Sequence, residues 1–485
     1  MPFGSIQVFD TLLREDERYR LTAWIFLRLL ALIYLAAFVS TALEITGLVG
    51  EAGILPAGTH LQNRFELAGQ WAWLRFPSLF WIDSGNLALL GASYLGSVLS
   101  VLLLIGWRQR LCLVLLFLLY LSLYQVGQIF FQFQWEYLLL EAGLLAIFLT
   151  SGANRLLVFL FHLLLFRLRF LSGYAKVSGG DPSWSGLTTL NHYFETQPLP
   201  HMGAWYAHQL PDWLLRFGTG ATLFIELVVP FFIFLPRRFR LFAAAVTIGI
   251  QVLIIATSNH NWVNVLTIAL CLFLLDDKAI RALIPWSSRE TSWTGRETRR
   301  GSAIQLLLAA VLTTTSAFTA YEMVRGEQRL AWNHPVNWVR GWGVGNVFHI
   351  FPNMQTERQE LIIQGSHDGR EWKTYDFRFK SDSPDDAPRW AVPLHPRLDW
   401  LMWFVPPQNP FMRHWFDPFM MRLHANEPDV TALLKSNPFA DKAPTYLRVL
   451  AYRYRFSTAA EREKSGQAWQ AEYLGQFPNV PPRSP

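Results

Sequence analysis

The chain has 485 residues, of which 52 % are apolar, 15 % aromatic and only 16 % charged. Disorder requires the opposite balance, low hydrophobicity with high charge, and a water-soluble protein would stand nearer a quarter charged. The net charge of +6 is spread in short basic clusters between apolar runs, so no basic face is offered to nucleic acid, and Cys112 and Cys271 both lie inside apolar runs, which excludes a disulfide framework, a CxxC redox pair and a thiolate zinc site.

The charges are unevenly placed. Residues 1–325 carry 23 Lys/Arg and 19 Asp/Glu, whereas residues 326–485 carry 19 and 17 in about half the length. The first part reads as a polytopic transmembrane domain and the second as an extracytoplasmic, mostly β domain. Apolar stretches able to cross about 30 Å of hydrocarbon occur near 24–43, 86–106, 111–131, 133–150, 156–171, 213–235, 239–257, 262–275 and 302–323. That makes about nine transmembrane helices, the fifth and eighth marginal in length. Backbone inside lipid must satisfy its own hydrogen bonds, so a helical bundle is the expected form. The charged N-terminal segment and the lack of a small-residue cleavage site make the first span an uncleaved anchor.

Basic residues set the orientation. With the N-terminus inside, the inner segments hold Arg14, Arg18, Arg20, Arg108, Arg110, Arg155, Arg237, Arg238, Arg240, Lys278, Arg281, Arg289, Arg296, Arg299 and Arg300, against Arg64, Arg75 and Lys176 outside. Nine spans then place residues 326–485 outside. Arg167 and Arg169, at the outer end of the fifth span, cut against this scheme and make that span short, tilted or re-entrant. Two outer loops, about 44–85 and 172–212, are long and rich in Gly, Pro and Trp, and long loops of that kind are seldom idle.

After the ninth span the text changes to alternation and turns. Leu361 to Gln364 and Trp372 to Phe379 flank Ser366-His367-Asp368-Gly369, which predicts a hairpin with Asp-Gly at the positive-φ positions. Thr445 to Phe456 alternates as a further strand, and 412–436 carries a helical pattern broken by Pro. The expectation is a mostly β, β-sandwich-like domain with some short helices. Trp390, Trp400, Trp403, Trp415 and Trp469 are most simply its core; the alternative is an aromatic binding platform.

Ionisable residues inside spans usually face a cavity or a partner. Glu136 and Glu141 are five apart, hence about 140° apart on a helix, and need not share a face; Glu226 and Gln251 follow in later spans. Glu136 and Glu141 are either hydrogen-bonding carboxylates that hold helices together or part of a polar cavity opening outward. The densest polar text is the second outer loop, with Lys176, Asp181, His192, Glu195, His201 and His208. As general acid/base groups Lys176, His192, Glu195 and His208 have suitable chemistry, since a Lys desolvated at the bilayer surface would have a lowered pKa. Against that stands a structural role for the loop, with Asp181 and Asn191 capping short helices. His192, Glu195 and His208 are of the types that bind zinc, but the usual close ligand pairs are missing, and no metal is expected. A third polar knot, Thr257 to Asn264, emerges on the same outer face.

At these residues the chain resembles the lipase maturation factor family. The matching phrases are Gly47 to Pro56, Trp135-Glu136 through Glu141-Ala-Gly143, Ser178 to Trp184, Glu195-Thr-Gln197-Pro-Leu-Pro200, Trp205 to Pro211 and Ile225 to Pro230; in the outer domain, Gly365 to Trp372, Pro396-Arg397-Leu-Asp399-Trp400-Leu-Met-Trp403 and Asn437-Pro438-Phe439 also match. Two departures stand out: Tyr193 takes the place where the family phrase has His, with His192 one earlier, and the Asn259 to Asn264 turn differs from the family's text. Animal members reside in the endoplasmic reticulum membrane and help homodimeric lipases reach their active form. The resemblance therefore implies maturation of exported proteins, lipases among them, here by a compact bacterial inner-membrane member with a periplasmic C-terminal domain. Its partners would be the membrane and secreted client proteins, with no nucleic acid.

A more distant resemblance, resting on Lys176, Asp181 and Trp184, is to the horizontally transferred transmembrane domain shared with vitamin K-dependent γ-glutamyl carboxylase. It implies a membrane enzyme with Lys176 as base on a quinone or lipid, Glu136 and Glu141 as orienting groups, and His192 or His208 as proton carriers. The family resemblance itself implies no cofactor.

Overall fold

Long runs of Leu, Phe and Ala, free of proline except for Pro230 in the sixth, leave the N-terminal part little choice but helix. The structure, a computed structural model, describes residues 12–283, 299–325, 334–406 and 410–479. The bundle helices are α1 (Arg20–Ala42), α2 (Asn86–Ile105), α3 (Gln109–Val126), α4 (Gln134–Leu149), α5 (Arg155–Ser178), α6 (Asp212–Leu227), α7 (Arg237–Thr257), α8 (Val263–Cys271) and α9 (Arg299–Arg325). Seven of the nine expected spans are long and apolar enough to cross a membrane, among them α5, with 24 residues. The chain is a multi-pass membrane protein.

Two of the nine expectations change. The fourth stretch forms only the 16-residue α4, with nearly every side chain buried, as expected of a helix apolar on all sides. It is the heart of the bundle, walled off by its neighbours. The fifth is not marginal: α5 runs past Arg167 and Arg169 to Ser178, because both guanidiniums meet buried carboxylates and need no escape to water. The eighth is short as expected, continuing α8 only to Leu274. Of the inner basic residues, Arg289 and Arg296 lie outside the described residues.

Helices approach where a side chain is missing. A Cβ on Gly143 would meet the Tyr34 hydroxyl at 1.9 Å, one on Gly96 the Phe38 ring at 2.3 Å, and one on Gly173 the Glu226 Cβ at 2.7 Å. At the N-terminal end of α1, the Asp277 carboxylate accepts from the amides of Leu21 and Thr22 (2.9 and 3.0 Å), supplying from a distant segment the cap the local sequence lacks.

The C-terminal region, here called the head, carries four antiparallel strands, β1 (Arg358–Ser366), β2 (Lys373–Thr374), β3 (Tyr446–Phe456) and β4 (Trp469–Gln476), in the order β2-β1-β3-β4. The expected hairpin joins β1 to β2 with Gly369 at φ 74°, but Asp368 takes no positive φ, its carboxylate instead accepting from the amides of Arg370 and Glu371, and the second strand is only Lys373–Thr374 rather than Trp372 to Phe379. Helix Pro410–His424 contains Pro418, and Pro428–Thr431 follows, matching the Pro-broken pattern. Among the described residues there is one sheet. Its cover comes from helices and from the bundle: Tyr454, Phe456 and Trp469 pack with Phe194, Trp205 and Leu215 of the second outer loop and α6. Trp400, Trp415 and Trp469 are core, Trp403 is half-buried, and Trp390 is 52 % exposed with the His201 ring 4.4 Å away, so Trp390 does not belong to the core.

Candidate functional site

The polar side chains at one end of the bundle meet the head. In the first turn of α4, Glu136 is fully buried; one carboxylate oxygen accepts from Arg397 Nη2 at 3.1 Å and the other from the Tyr120 hydroxyl, while His395 Nδ1 stands 3.7 Å away. The Arg397 guanidinium lies 4.0 Å over the Phe131 ring. Glu141, one and a half turns on, takes a bidentate pair from Arg167 (2.6 and 3.1 Å) and the amide of Gly345 at 2.8 Å. Their angular offset thus sends the two carboxylates to different partners, one on the head and one split between α5 and the head.

Lys176 is buried in the last turn of α5. Its Nζ donates to Glu226 Oε2 at 2.6 Å and to the carbonyl of Ile350 at 2.9 Å, beside the Trp184 ring. Arg169 approaches the other Glu226 oxygen at 3.3 Å. Lys176 bonds neither Glu141 nor Glu195, so the three do not form one catalytic constellation in this structure.

The second outer loop folds into helices Pro182–Ser185, Thr189–Thr196 and Met202–His208, and its polar groups also face the head. Glu195 Oε2 accepts from the Phe456 amide at 2.6 Å, with His208 Nε2 at 3.8 Å; burial raises the Glu195 carboxyl above the usual range and lowers His208 and His192 below the usual imidazole value. The fold brings Glu195 to His208, and His192 stands near enough to His208 to add to the lowering of its pKa. The carbonyls of Glu195, Gln197 and Pro198 receive the Arg358 guanidinium at 3.1, 2.5 and 3.1 Å. Asp181 caps Ser183 and accepts from the Met354 amide at 2.6 Å. Asn191 does not cap its helix; its amide donates to Asp212. In the third knot, Asn259 donates to Arg389 O and accepts from Ala391 N, and the Tyr193 hydroxyl bonds His260 Nε2 at 2.6 Å. Among the described residues, no group of three or more His, Cys, Asp or Glu is placed to hold a metal.

Sequence reasoning missed Arg397, Arg358 and His395, which sit in the head yet complete the bundle. The available signal was chemical: a carboxylate inside a span demands a cation, and Arg397 and Asp399 stand in a Trp-rich, otherwise apolar stretch. Beside these junctions a groove of about 970 Å³ opens between bundle and head. Phe133, Trp135, Trp400, Trp403, Phe404 and Met412 supply its apolar walls, and Asp181 and His192 edge it.

A multi-pass helical bundle carrying a firmly docked β-containing head defines the class of this molecule. Its residues 21–282 match the model of the lipase maturation factor transmembrane domain, and residues 344–479 that of the lipase maturation factor C-terminal domain. The chain is 31 % identical to lipase maturation factor 2 of Xenopus laevis, covering 95 % of this chain and 82 % of that protein. It is 32 % identical to lipase maturation factor 1 of Mus musculus (95 % and 87 %) and 30 % identical to lipase maturation factor 2 of Homo sapiens (94 % and 82 %). The chain belongs to the lipase maturation factor family. No solved structure matches it.

Proposed function

We propose that this protein is a membrane-held folding factor that assists maturation of exported proteins such as lipases, gripping non-native client segments in the aromatic groove between bundle and head. The observation that carries the reading is the groove itself: a large apolar trough at the seam of two parts locked by the buried Glu136–Arg397 ion pair and the hydrogen bonds of Arg358. Burial of apolar surface is non-directional and scales with area, which suits a client whose sequence is not specified. The proposed setting is a bacterial inner membrane with the N-terminus cytoplasmic and the head periplasmic. Clients would then be met as they leave the membrane.

Deleting the head would strip Glu136 of Arg397 and Glu141 of the Gly345 amide and so disturb the bundle itself, and the groove is therefore tested by substitution. The double change Phe411→Ser and Met412→Ser removes two side chains from its rim. Two such groups are worth roughly 1.5–3 kcal/mol each when buried, so rescue of a secreted lipase should fall at least ~10-fold per folded molecule, the normalisation being needed because Met412 also packs on the core. Undiminished rescue would overturn the reading.

A further inference from the structure

The first outer segment carries apolar side chains that the rest of the chain leaves uncovered. Helices Ala57–Ala68 and Ala72–Arg75 and the turn after them bury Leu61, Ala72 and Phe80 inward. Facing out are Phe65, Leu67, Trp71, Trp73, Leu74 and Ile82, with Trp71 67 % and Ile82 83 % exposed. The segment is well built: Trp73 stacks on Trp81 at 5.4 Å, Trp81 Nε1 donates to Phe76 O, and the Arg64 guanidinium lies 4.6 Å over the Phe76 ring. Trp338 Nε1 of the head donates to Leu74 O, which places the segment on the head's side of the bundle.

We propose that residues 65–82 form a ledge immersed in the headgroup layer of the leaflet on that side, so that its partner is a lipid surface. Continuity is the first argument. The segment links spans α1 and α2, so both its ends are held at the bilayer, and five residues after Ile82 begins the exposed stripe of α2, Leu87, Tyr94, Val98, Val101 and Ile105, at helical spacing. Only Asp83-Ser84-Gly85-Asn86 separate ledge from stripe along the chain. The second argument is composition: indole rings with an apolar body, set among Gln62, Asn63, Glu66 and Gln70, suit the boundary between hydrocarbon and water. In water the same patch would be a large exposed apolar surface with no cover. The ledge would steady the head against the bilayer independently of any client in the groove.

The test uses the full chain in vesicles of phosphatidylethanolamine and phosphatidylglycerol. Cys112 and Cys271 are both buried, so spin labels on Leu67→Cys, Trp71→Cys and Ile82→Cys report alone. Leu95→Cys on α2 is the lipid reference, and Tyr446→Cys on β3, 51 % exposed, the aqueous one. The ledge labels should collide with oxygen several-fold more often than with a water-soluble nickel chelate, as the Leu95 label does. Nickel collisions at the Tyr446 level would overturn the proposal, as would a label shielded from both reagents, which would mean a protein partner or a second copy. Should Trp71→Cys fold poorly, Leu67→Cys and Ile82→Cys decide the same question.

Discussion

Glu136 and Arg397 show what a buried charge asks of its surroundings. Each is fully buried, and neither is tolerable without the other. Arg397→Met alone should destabilise the protein by about 3–5 kcal/mol, read as a large fall in the melting temperature of the detergent-solubilised chain. Adding Glu136→Leu should recover much of that loss, because the stranded carboxylate goes with its partner. His395 adds a pH term. Burial holds its imidazole down to about 4 against the ordinary value near 6.5, with the Glu136 carboxylate and the Arg397 guanidinium facing it. A lowered folded value means that its contribution is whole above pH 6.5 and is lost as pH falls toward 4. Glu44, whose carboxylate accepts from the Arg397 amide, is raised to about 7 by burial and acts in the opposite sense, its contribution being present below pH 4.5 and lost as pH rises through 7. A His395→Gln variant should therefore lose less melting temperature than the native protein between pH 6.5 and 4.5. An unchanged acid slope would exclude His395 as its source.

At the level of elements, the close approach of α5 and α6 depends on Gly173, whose absent side chain leaves room for Glu226. Gly173→Ala would push the helices apart where Lys176, Arg169 and Glu226 meet, and should cost about 1–3 kcal/mol, measured by chemical or thermal unfolding. The length of α5 was illegible from hydropathy, because Arg167, Arg169 and Lys176 interrupt the apolar window that announces a span. The hairpin β1-β2, by contrast, was legible in its place and in the positive φ of Gly369, though not in the length of its second strand, Lys373–Thr374, nor in the conformation of Asp368. Sequence periodicity reports local geometry well and remote compensation not at all.

For the whole molecule, the head and the bundle share their cores and their charges, so they should behave as one unit. A protease site introduced between residues 325 and 334, once cut, should leave two fragments that co-elute in mild detergent, and Arg397→Met should weaken that association. Fragments that separate at once would contradict the junction of Glu136, Glu141, Lys176 and Glu195 with the head. That docking, together with pairing inside the bundle, explains why six residues singled out for their chemistry have mostly structural partners here: Glu136 is held by Arg397, Glu141 by Arg167 and the Gly345 amide, Lys176 by Glu226, and Glu195 by the Phe456 amide. His192 alone of the six edges the groove.

The amino-acid sequence by itself determined that the first two-thirds form membrane helices, that the remainder folds with strands and a tight hairpin, and which family the chain resembles, because bilayer thickness, backbone hydrogen bonding and turn stereochemistry act over short stretches of chain. Only the tertiary structure decided who neutralises whom. Glu136 meets Arg397 across 261 positions, and Lys176 meets Glu226 across 50. No local pattern encodes such pairs, since burial and partner are created together, by helix packing for Lys176 and Glu226 and by the docking of the head for Glu136 and Arg397.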